Sequence, residues 1–304
     1  MGGGFGYSGN PANLFRVTAT PQRRGATEVG SGQGDGRSGA RSGAPGRNFG
    51  EEGGRLTYGS YLRLPELLTQ QIPQTDPVAR DELLFITIHQ VYELWFKLLL
   101  HELEQLRDAM FGREVWLARH LFRRVHAVER VLIEQIDVLE TMTPQDFLEF
   151  REELAPASGF QSVQFRELEF LSGAKDPGFV RRFRGLTEDE SARLKRRLAE
   201  PTLWDAYVNL LASSGLPADG DDRLRESLTK VARGRDRYDD LWQLAEDLLT
   251  HDEMAALWRK RHVQMVERQI GTKSGTGGST GAPYLRKRLD MRYYPLLWEL
   301  RNLL

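Results

Sequence analysis

The stretch LLFITIHQVYELWFKLLL, residues 83–100, decides the fold class of this chain. Eleven of its eighteen residues are Leu, Ile, Val or Phe, so the stretch belongs in a protein core. His89 lies in the middle of it, where an imidazole without a partner is costly to bury. Either a neighbouring group satisfies this histidine within the core, or its side chain faces a cavity.

Composition excludes several classes of function. The 304 residues carry a net charge of −1, which gives no overall field for attracting nucleic acid. The chain has no cysteine, so disulfides, thiolate metal sites and cysteine nucleophiles are excluded. Glu93 and Lys97 interrupt the most apolar run, and the first residues lack the pattern of a signal peptide. We therefore predict a cytoplasmic protein that binds neither membrane nor nucleic acid.

Glycine content divides the chain into two regions. Sixteen of the 30 glycines lie in residues 1–54, where few apolar residues could offset the entropy lost on ordering. This pattern predicts a flexible, disordered N-terminal tail over 1–54. From residue 55 onward the apolar spacing is helical and alternating strand patterns are nearly absent. We predict one all-α domain, a helical bundle, over 55–304.

Helix signals set the expected boundaries in that domain. Apolar spacing predicts long helices over 81–110 and 114–140. Capping patterns predict helix starts at Thr143, Thr187 and Thr250. Glycines typical of helix ends follow, and these are Gly173, Gly215 and Gly271.

Histidine spacing argues against a metal held by side chains alone. None of the six histidines has a glutamate three residues before it, and no two are four residues apart. A metal held by one axial imidazole inside a porphyrin needs no such pairing. His262 has Trp258 and Val266 one turn to either side, and the adjacent cations of 259–261 could balance porphyrin propionates. The residues alone leave a haem ligand and an ordinary core histidine as alternatives.

Two pairs at a spacing of four residues suggest a ligand pocket. Phe85 and His89 share one helix face, and so do Phe147 and Arg151. An aromatic ring beside a guanidinium could bind a ligand that has a ring and a carboxylate. The alternatives are a core histidine and a surface ion pair within FREE, residues 150–153.

The stretch GTKSGTGGSTG, residues 271–281, is rich in glycine but matches no phosphate-binding loop. Its lysine comes too early for a Walker A loop, and a helix rather than a strand precedes it. The stretch is either a connector or a lid that places Thr276 over a pocket.

Together these segments resemble the tryptophan 2,3-dioxygenase family. The resemblance covers about 55–304 and weakens through 174–250. It rests on stretches that occur in the family's order: LTYGSYLRLPELL (56–68), DELLFITIHQVYELWFK (81–97), LETMTPQDFLEFREELAPASGFQSVQFRELE (139–169), WRKRHVQMVERQIGTKSGTGGSTGAPYLR (258–286) and RYYPLLWELR (292–301).

The resemblance implies a haem-dependent enzyme that inserts both atoms of O2 into the C2–C3 bond of L-tryptophan. The product is N-formylkynurenine, at the first step of tryptophan catabolism through kynurenine. It implies one haem b per subunit, with His262 as the iron ligand and Trp258 beside it. His89 is then the distal catalytic histidine, which faces a cavity and meets the indole N–H.

The resemblance also implies the substrate contacts. Phe85 and Phe147 wall the indole, Arg151 holds the carboxylate, and Thr276 contacts the ammonium and carboxylate end. The family is tetrameric, and Tyr58 and Tyr61 are similar to tyrosines that complete a neighbouring subunit's pocket.

Three alternatives remain at this point. The chain could be a haem-binding sensor or storage protein without turnover, or a helical scaffold without a cofactor. It could also be a dioxygenase that acts on substituted tryptophans.

Overall fold

Helices form all the regular structure in the part of the chain that the structure describes. The computed structural model describes residues 56–183, 185–277 and 281–304, and no strand occurs among them. The predicted all-α fold is confirmed, whereas the predicted tail over 1–54 lies outside the described residues. The α-helices in this part of the chain are α1 (Tyr58–Leu62), α2 (Leu64–Leu67), α3 (Glu82–Phe111), α4 (Val115–Leu139), α5 (Pro144–Phe150), α6 (Val163–Ser172), α7 (Pro177–Arg182), α8 (Glu188–Ala199), α9 (Leu203–Ser213), α10 (Asp221–Arg233), α11 (Arg235–Ile270), α12 (Ala282–Arg286) and α13 (Pro295–Leu300).

The three longest helices form the centre of the fold. Helices α3 and α4 are joined by residues 112–114, a connection short enough for a helical hairpin, and α11 packs along α4. Helices α6 and α9 cover α3. Each large apolar side chain buried between them contributes about 1.5–3 kcal/mol. The side chains with no exposed surface in this core include Leu103, Leu106, Met110, Phe122 and Val125.

Helix α3 contains the stretch that opened the sequence analysis. By length and composition it could cross a membrane. Glu93 and Lys97 were expected to exclude a membrane-spanning helix here, and they do not. Its contacts with α4, α6 and α9 are those of the core helix of a helical bundle. The absence of membrane binding stays a prediction.

Two of the three predicted helix starts are confirmed. The hydroxyl of Thr143 accepts a hydrogen bond from the Asp146 N–H, and the Asp146 carboxylate accepts one from the Thr143 N–H. Thr187 and Glu190 form the same reciprocal pair at the start of α8. Each pair satisfies backbone donors that the first turn leaves unpaired.

The start predicted at Thr250 is wrong. Thr250 lies inside α11, and its hydroxyl donates to the Glu246 carbonyl one turn earlier, at 2.9 Å. The preceding residues 241–249 contain no glycine or proline, so the helix continues through this position. The three predicted helix ends are confirmed, because Gly173, Gly215 and Gly271 follow α6, α9 and α11 and all have positive φ.

A buried polar trio connects α4, α6 and α11. Nε2 of His251 is 2.8 Å from the Ser172 hydroxyl, and Nδ1 pairs with the Glu129 carboxylate. The order of groups is that of a serine-type catalytic triad. Ser172 is only 1% exposed, however, so no substrate can reach it, and the trio serves to hold the three helices together.

His126 makes the stability of the fold depend on pH. Burial in α4 lowers its pKa to about 4, and its Nε2 lies 3.0 Å from the Asp247 carbonyl oxygen. In the unfolded chain a histidine has a pKa of about 6.5. The unfolded state therefore binds more protons between these two values, and stability is lost as pH falls from about 6.5 towards 4.

We expect His126→Gln to lose less stability than the wild type across that pH range, by about 3 kcal/mol at pH 4. Urea unfolding at pH 7, 6, 5 and 4 measures the difference. The matched control is His120→Gln, because His120 is an exposed histidine on the same helix. If the free energy of unfolding falls with pH in the same way for wild type and His126→Gln, the assignment of this pH dependence to His126 is wrong.

Candidate functional site

A cavity of about 880 Å³ lies among α3, α5, α6 and α11, beside the glycine-rich segment. This volume is within the range of about 300–1,000 Å³ found for small-molecule sites. Aromatic and aliphatic side chains form much of its wall, including Phe85, Tyr92, Phe96, Phe147, Trp258 and Val263. The cavity can therefore hold a large, flat and mostly apolar ligand.

His89 lines this cavity from α3. Its Nδ1 lies 2.7 Å from the Phe85 carbonyl oxygen, which can only accept a hydrogen bond. We therefore assign the proton to Nδ1, which leaves Nε2 as an acceptor for a ligand. Burial lowers the pKa of His89, opposed by the Phe85 carbonyl and the Glu93 carboxylate, so the ring is neutral at pH 7.

His262 lines the same cavity from α11. Protein atoms surround it and burial lowers its pKa to about 4, with a further contribution from the charge that His89 would carry if protonated. The ring keeps some accessible surface despite this burial, as expected for a side chain in a cavity wall. The structure thus brings together two neutral imidazoles that lie 173 positions apart in the sequence.

Aromatic rings continue the wall next to His89. The Phe85 ring centroid is 4.1 Å from that of His89 and 5.6 Å from that of Phe147, and the two phenylalanine planes differ by 28°. The Phe150 ring packs edge-on against the rings of Phe85 and Phe147. These contacts place the two predicted indole-binding rings, Phe85 and Phe147, side by side.

Arg151 follows α5 and supplies a positive charge at the cavity. Its guanidinium donates to the Ser274 carbonyl of the glycine-rich segment. No ion pair joins Arg151 to another residue in the described part of the chain, so the surface ion pair considered for FREE is not found. A guanidinium satisfied only by a carbonyl remains available to a carboxylate ligand.

The glycine-rich segment lies against the loop that follows α5. Thr276 donates to the Ala157 carbonyl at 2.6 Å and lines the cavity. A Cβ atom on Gly277 would lie only 2.4 Å from Cβ of Ser158, so this approach requires glycine. The lid interpretation fits this contact better than a loose connector. Residues 278–280 of the segment lie outside the described residues.

Tyr58 and Tyr61 do not line the cavity of their own chain. Both belong to α1, and they are 69% and 72% exposed. Their predicted role in a neighbouring subunit's pocket therefore stays a prediction.

Several site residues were missed because they meet only in the folded chain. The Glu93 carboxylate lines the cavity and accepts hydrogen bonds from Ser162 and Gln164, which begin α6. Tyr293 was also missed: its hydroxyl accepts a hydrogen bond from Arg259, the one of the predicted cations at 259–261 that lines the cavity. No local spacing pattern links residues this far apart.

The fold and the cavity define an all-helical protein whose internal ligand pocket is bordered by two neutral histidines. A family model described as tryptophan 2,3-dioxygenase matches residues 42–226 and 224–304. The chain belongs to the tryptophan 2,3-dioxygenase family, and the family predicted from the sequence motifs is confirmed.

Curated relatives agree with this assignment. A tryptophan 2,3-dioxygenase from Nocardioides sp. is 65% identical, over 84% of this chain and 97% of its own length. One from Herpetosiphon aurantiacus is 43% identical, over 81% of this chain and 97% of its own length. A third, from Xanthomonas euvesicatoria, is 41% identical, over 82% of this chain and 88% of its own length.

Proposed function

We propose that this chain is a haem-dependent dioxygenase that inserts both atoms of O2 into the C2–C3 bond of L-tryptophan to give N-formylkynurenine. Family membership supports oxidation of tryptophan and the enzyme class. The observation that carries the proposal for the site is that two neutral imidazoles, His89 and His262, line one largely apolar cavity.

The donor set of the cavity fits haem b better than a bare metal ion. Among residues 56–183, 185–277 and 281–304, no group of three or more His, Cys, Asp or Glu side chains could hold a metal ion. A metal here would depend on one protein ligand and a macrocycle, as in haem proteins with a single histidine ligand. His262 would hold the iron, Trp258 would pack beside it, and Arg259 would balance propionate charge. When bound, haem supplies the iron centre that activates O2.

The side chains around His89 in the cavity wall would orient the indole of the substrate. Phe85 and Phe147 offer adjacent ring faces for packing, and Nε2 of His89 can accept the indole N–H. An indole N–H is a very weak acid, so we expect His89 to act mainly by orientation rather than as an obligatory base. The apolar wall also excludes water from the reacting atoms.

Arg151 and Thr276 would bind the amino-acid end of the substrate. Burying a zwitterion is costly unless both of its charges are met. The Arg151 guanidinium can exchange the Ser274 carbonyl for the substrate carboxylate, while the Thr276 hydroxyl lies on the same side of the cavity. This arrangement favours free tryptophan over indole alone.

Assembly and location form part of the same proposal. We propose a homotetramer in which Tyr58 and Tyr61, which are exposed on α1, complete the pocket of another subunit. We propose a cytoplasmic enzyme that binds neither nucleic acid nor membrane. Family membership does not favour a sensor or storage protein. Substituted tryptophans remain an alternative substrate class.

The deciding experiment incubates the reduced, haem-loaded protein with L-tryptophan in air. Formation of N-formylkynurenine, followed by its absorbance and identified by mass spectrometry, is the expected result. A haem protein that binds tryptophan without forming product would contradict the proposal. Parallel incubations with ring-substituted tryptophans would identify a different preferred substrate.

We expect His262→Ala to purify without the haem absorption band, because the cavity then lacks its only proposed iron ligand. The haem-to-protein ratio measured by pyridine haemochrome is the readout. His120→Ala, which removes an exposed histidine outside the cavity, should keep the wild-type ratio. Full haem content and an unchanged spectrum in His262→Ala would rule out this ligand.

Arg151→Ala should weaken apparent affinity for tryptophan by roughly 10- to 150-fold, since a hydrogen bond to a charged group contributes about 1.5–3 kcal/mol. Steady-state KM for L-tryptophan measures the loss. Tryptamine, which lacks the carboxylate, is the internal control and should show little change between wild type and variant. Equal losses for both ligands would mean that Arg151 does not recognise the carboxylate.

His89→Ala should retain part of its activity, with kcat lowered by less than ~100-fold, which is below the 10²–10⁴-fold that loss of a general acid or base typically costs. Single-turnover rates at saturating tryptophan isolate the chemical step. His101→Ala, which removes an exposed histidine from the same helix, is the matched control. Complete loss of turnover in His89→Ala would instead show that His89 acts as an obligatory base.

A further inference from the structure

The imidazole of His262 lacks the support that usually orients a metal-binding histidine. Such a histidine almost always donates its second ring N–H to a carboxylate, a backbone carbonyl or a water. In the described part of the chain, no hydrogen bond joins the His262 ring to another residue, and the ring instead stacks on the Trp258 indole. Packing against neighbouring side chains is what the protein itself offers to fix the plane of this ring.

The indole of Trp258 lies directly against that ring. Trp258 precedes His262 by four residues on α11, so the two side chains share a face of the helix. Their ring centroids are 5.0 Å apart and their planes differ by only 6°. A parallel stack of this kind limits rotation of the imidazole about its side-chain bonds.

Two other helices hold the indole in place. Phe165 of α6 packs on Trp258 with its centroid at 5.0 Å, and Tyr92 of α3 meets it edge-on at 6.2 Å and 75°. The indole N–H of Trp258 is buried and faces the Tyr92 hydroxyl oxygen. The orientation of the indole therefore depends on the ring contacts and on this polar contact with Tyr92.

Tyr92 is itself anchored at its far end. Its hydroxyl donates to the Leu132 carbonyl of α4 at 2.8 Å, and the residue is 9% exposed. Burial raises the pKa of Tyr92 to about 12, while the nearby Trp258 indole opposes that rise, so the phenol stays protonated and keeps donating. The anchor fixes the tyrosine ring, and the tyrosine ring limits the position of Trp258.

We propose that Tyr92 is a positioning residue, which holds the Trp258 indole parallel to the His262 imidazole and thereby sets the orientation of the iron-binding ring. The inference rests on the proposed haem ligation by His262. The stacked indole would then orient a ring that a hydrogen-bonded carboxylate or carbonyl orients in other metal sites.

The test uses Tyr92→Phe in the haem-loaded protein, and it measures the iron–histidine stretching band of the ferrous form by resonance Raman spectroscopy. Loss of the anchor should shift or split the band relative to wild type, because the imidazole then samples more than one orientation. Trp258→Leu should change the band further. The band of Trp258→Phe should lie closer to that of the wild type, because phenylalanine keeps a ring that can stack on His262.

Tyr207→Phe is the matched control. Tyr207 is a fully buried tyrosine on α9 whose hydroxyl donates to the Leu241 carbonyl at 3.0 Å, and it contacts neither Trp258 nor His262. Both tyrosine variants should lower the melting temperature to a similar extent, but only Tyr92→Phe should alter the band.

A wild-type band in Tyr92→Phe would overturn the role of Tyr92, and a wild-type band in Trp258→Leu would overturn orientation by stacking. Equal band changes in Tyr92→Phe and Tyr207→Phe would reduce the effect to general destabilisation and would also overturn the proposal. A wild-type haem protein without an iron–histidine band would instead contradict haem ligation by His262.

Discussion

The burial of two neutral imidazoles at one apolar cavity is the constraint on which the rest of this structure depends. A polar ring in such surroundings is costly unless it has a partner or a ligand to meet. His89 has the Phe85 carbonyl, whereas His262 has a stacked indole and no hydrogen bond to another described residue. Both rings need rigid supports, and α3 and α11 provide them because each packs along α4.

Polar groups line the cavity where α5 and its following loop meet the glycine-rich segment. Arg151 and Thr276 each bond to a backbone carbonyl across that contact. The aromatic wall contributed by Phe85 and Phe147 adjoins them. The cavity therefore presents apolar surface to a ring and charged or hydroxyl groups to an amino-acid end, which matches the two halves of tryptophan.

Local periodicity was enough to predict the long helices and the neighbours that share one helix face. The spacing of four residues placed Phe85 beside His89, and the rings are in contact. Capping patterns failed at Thr250, because a threonine inside a helix can bond back to the preceding turn. Partners on different helices, such as Tyr92 for Trp258, follow no local pattern, since only packing of α3 against its neighbours brings them together.

We propose that a single haem would bind between His89 and His262, with His262 holding the iron. The most direct measurement is a crystal structure of the haem-loaded protein with anomalous diffraction collected at the iron absorption edge. We predict one strong iron peak per subunit, within bonding distance of a His262 ring nitrogen, and with the His89 ring on the opposite face of the macrocycle. An iron peak away from His262, or a haem with both histidines on one face, would contradict the claim.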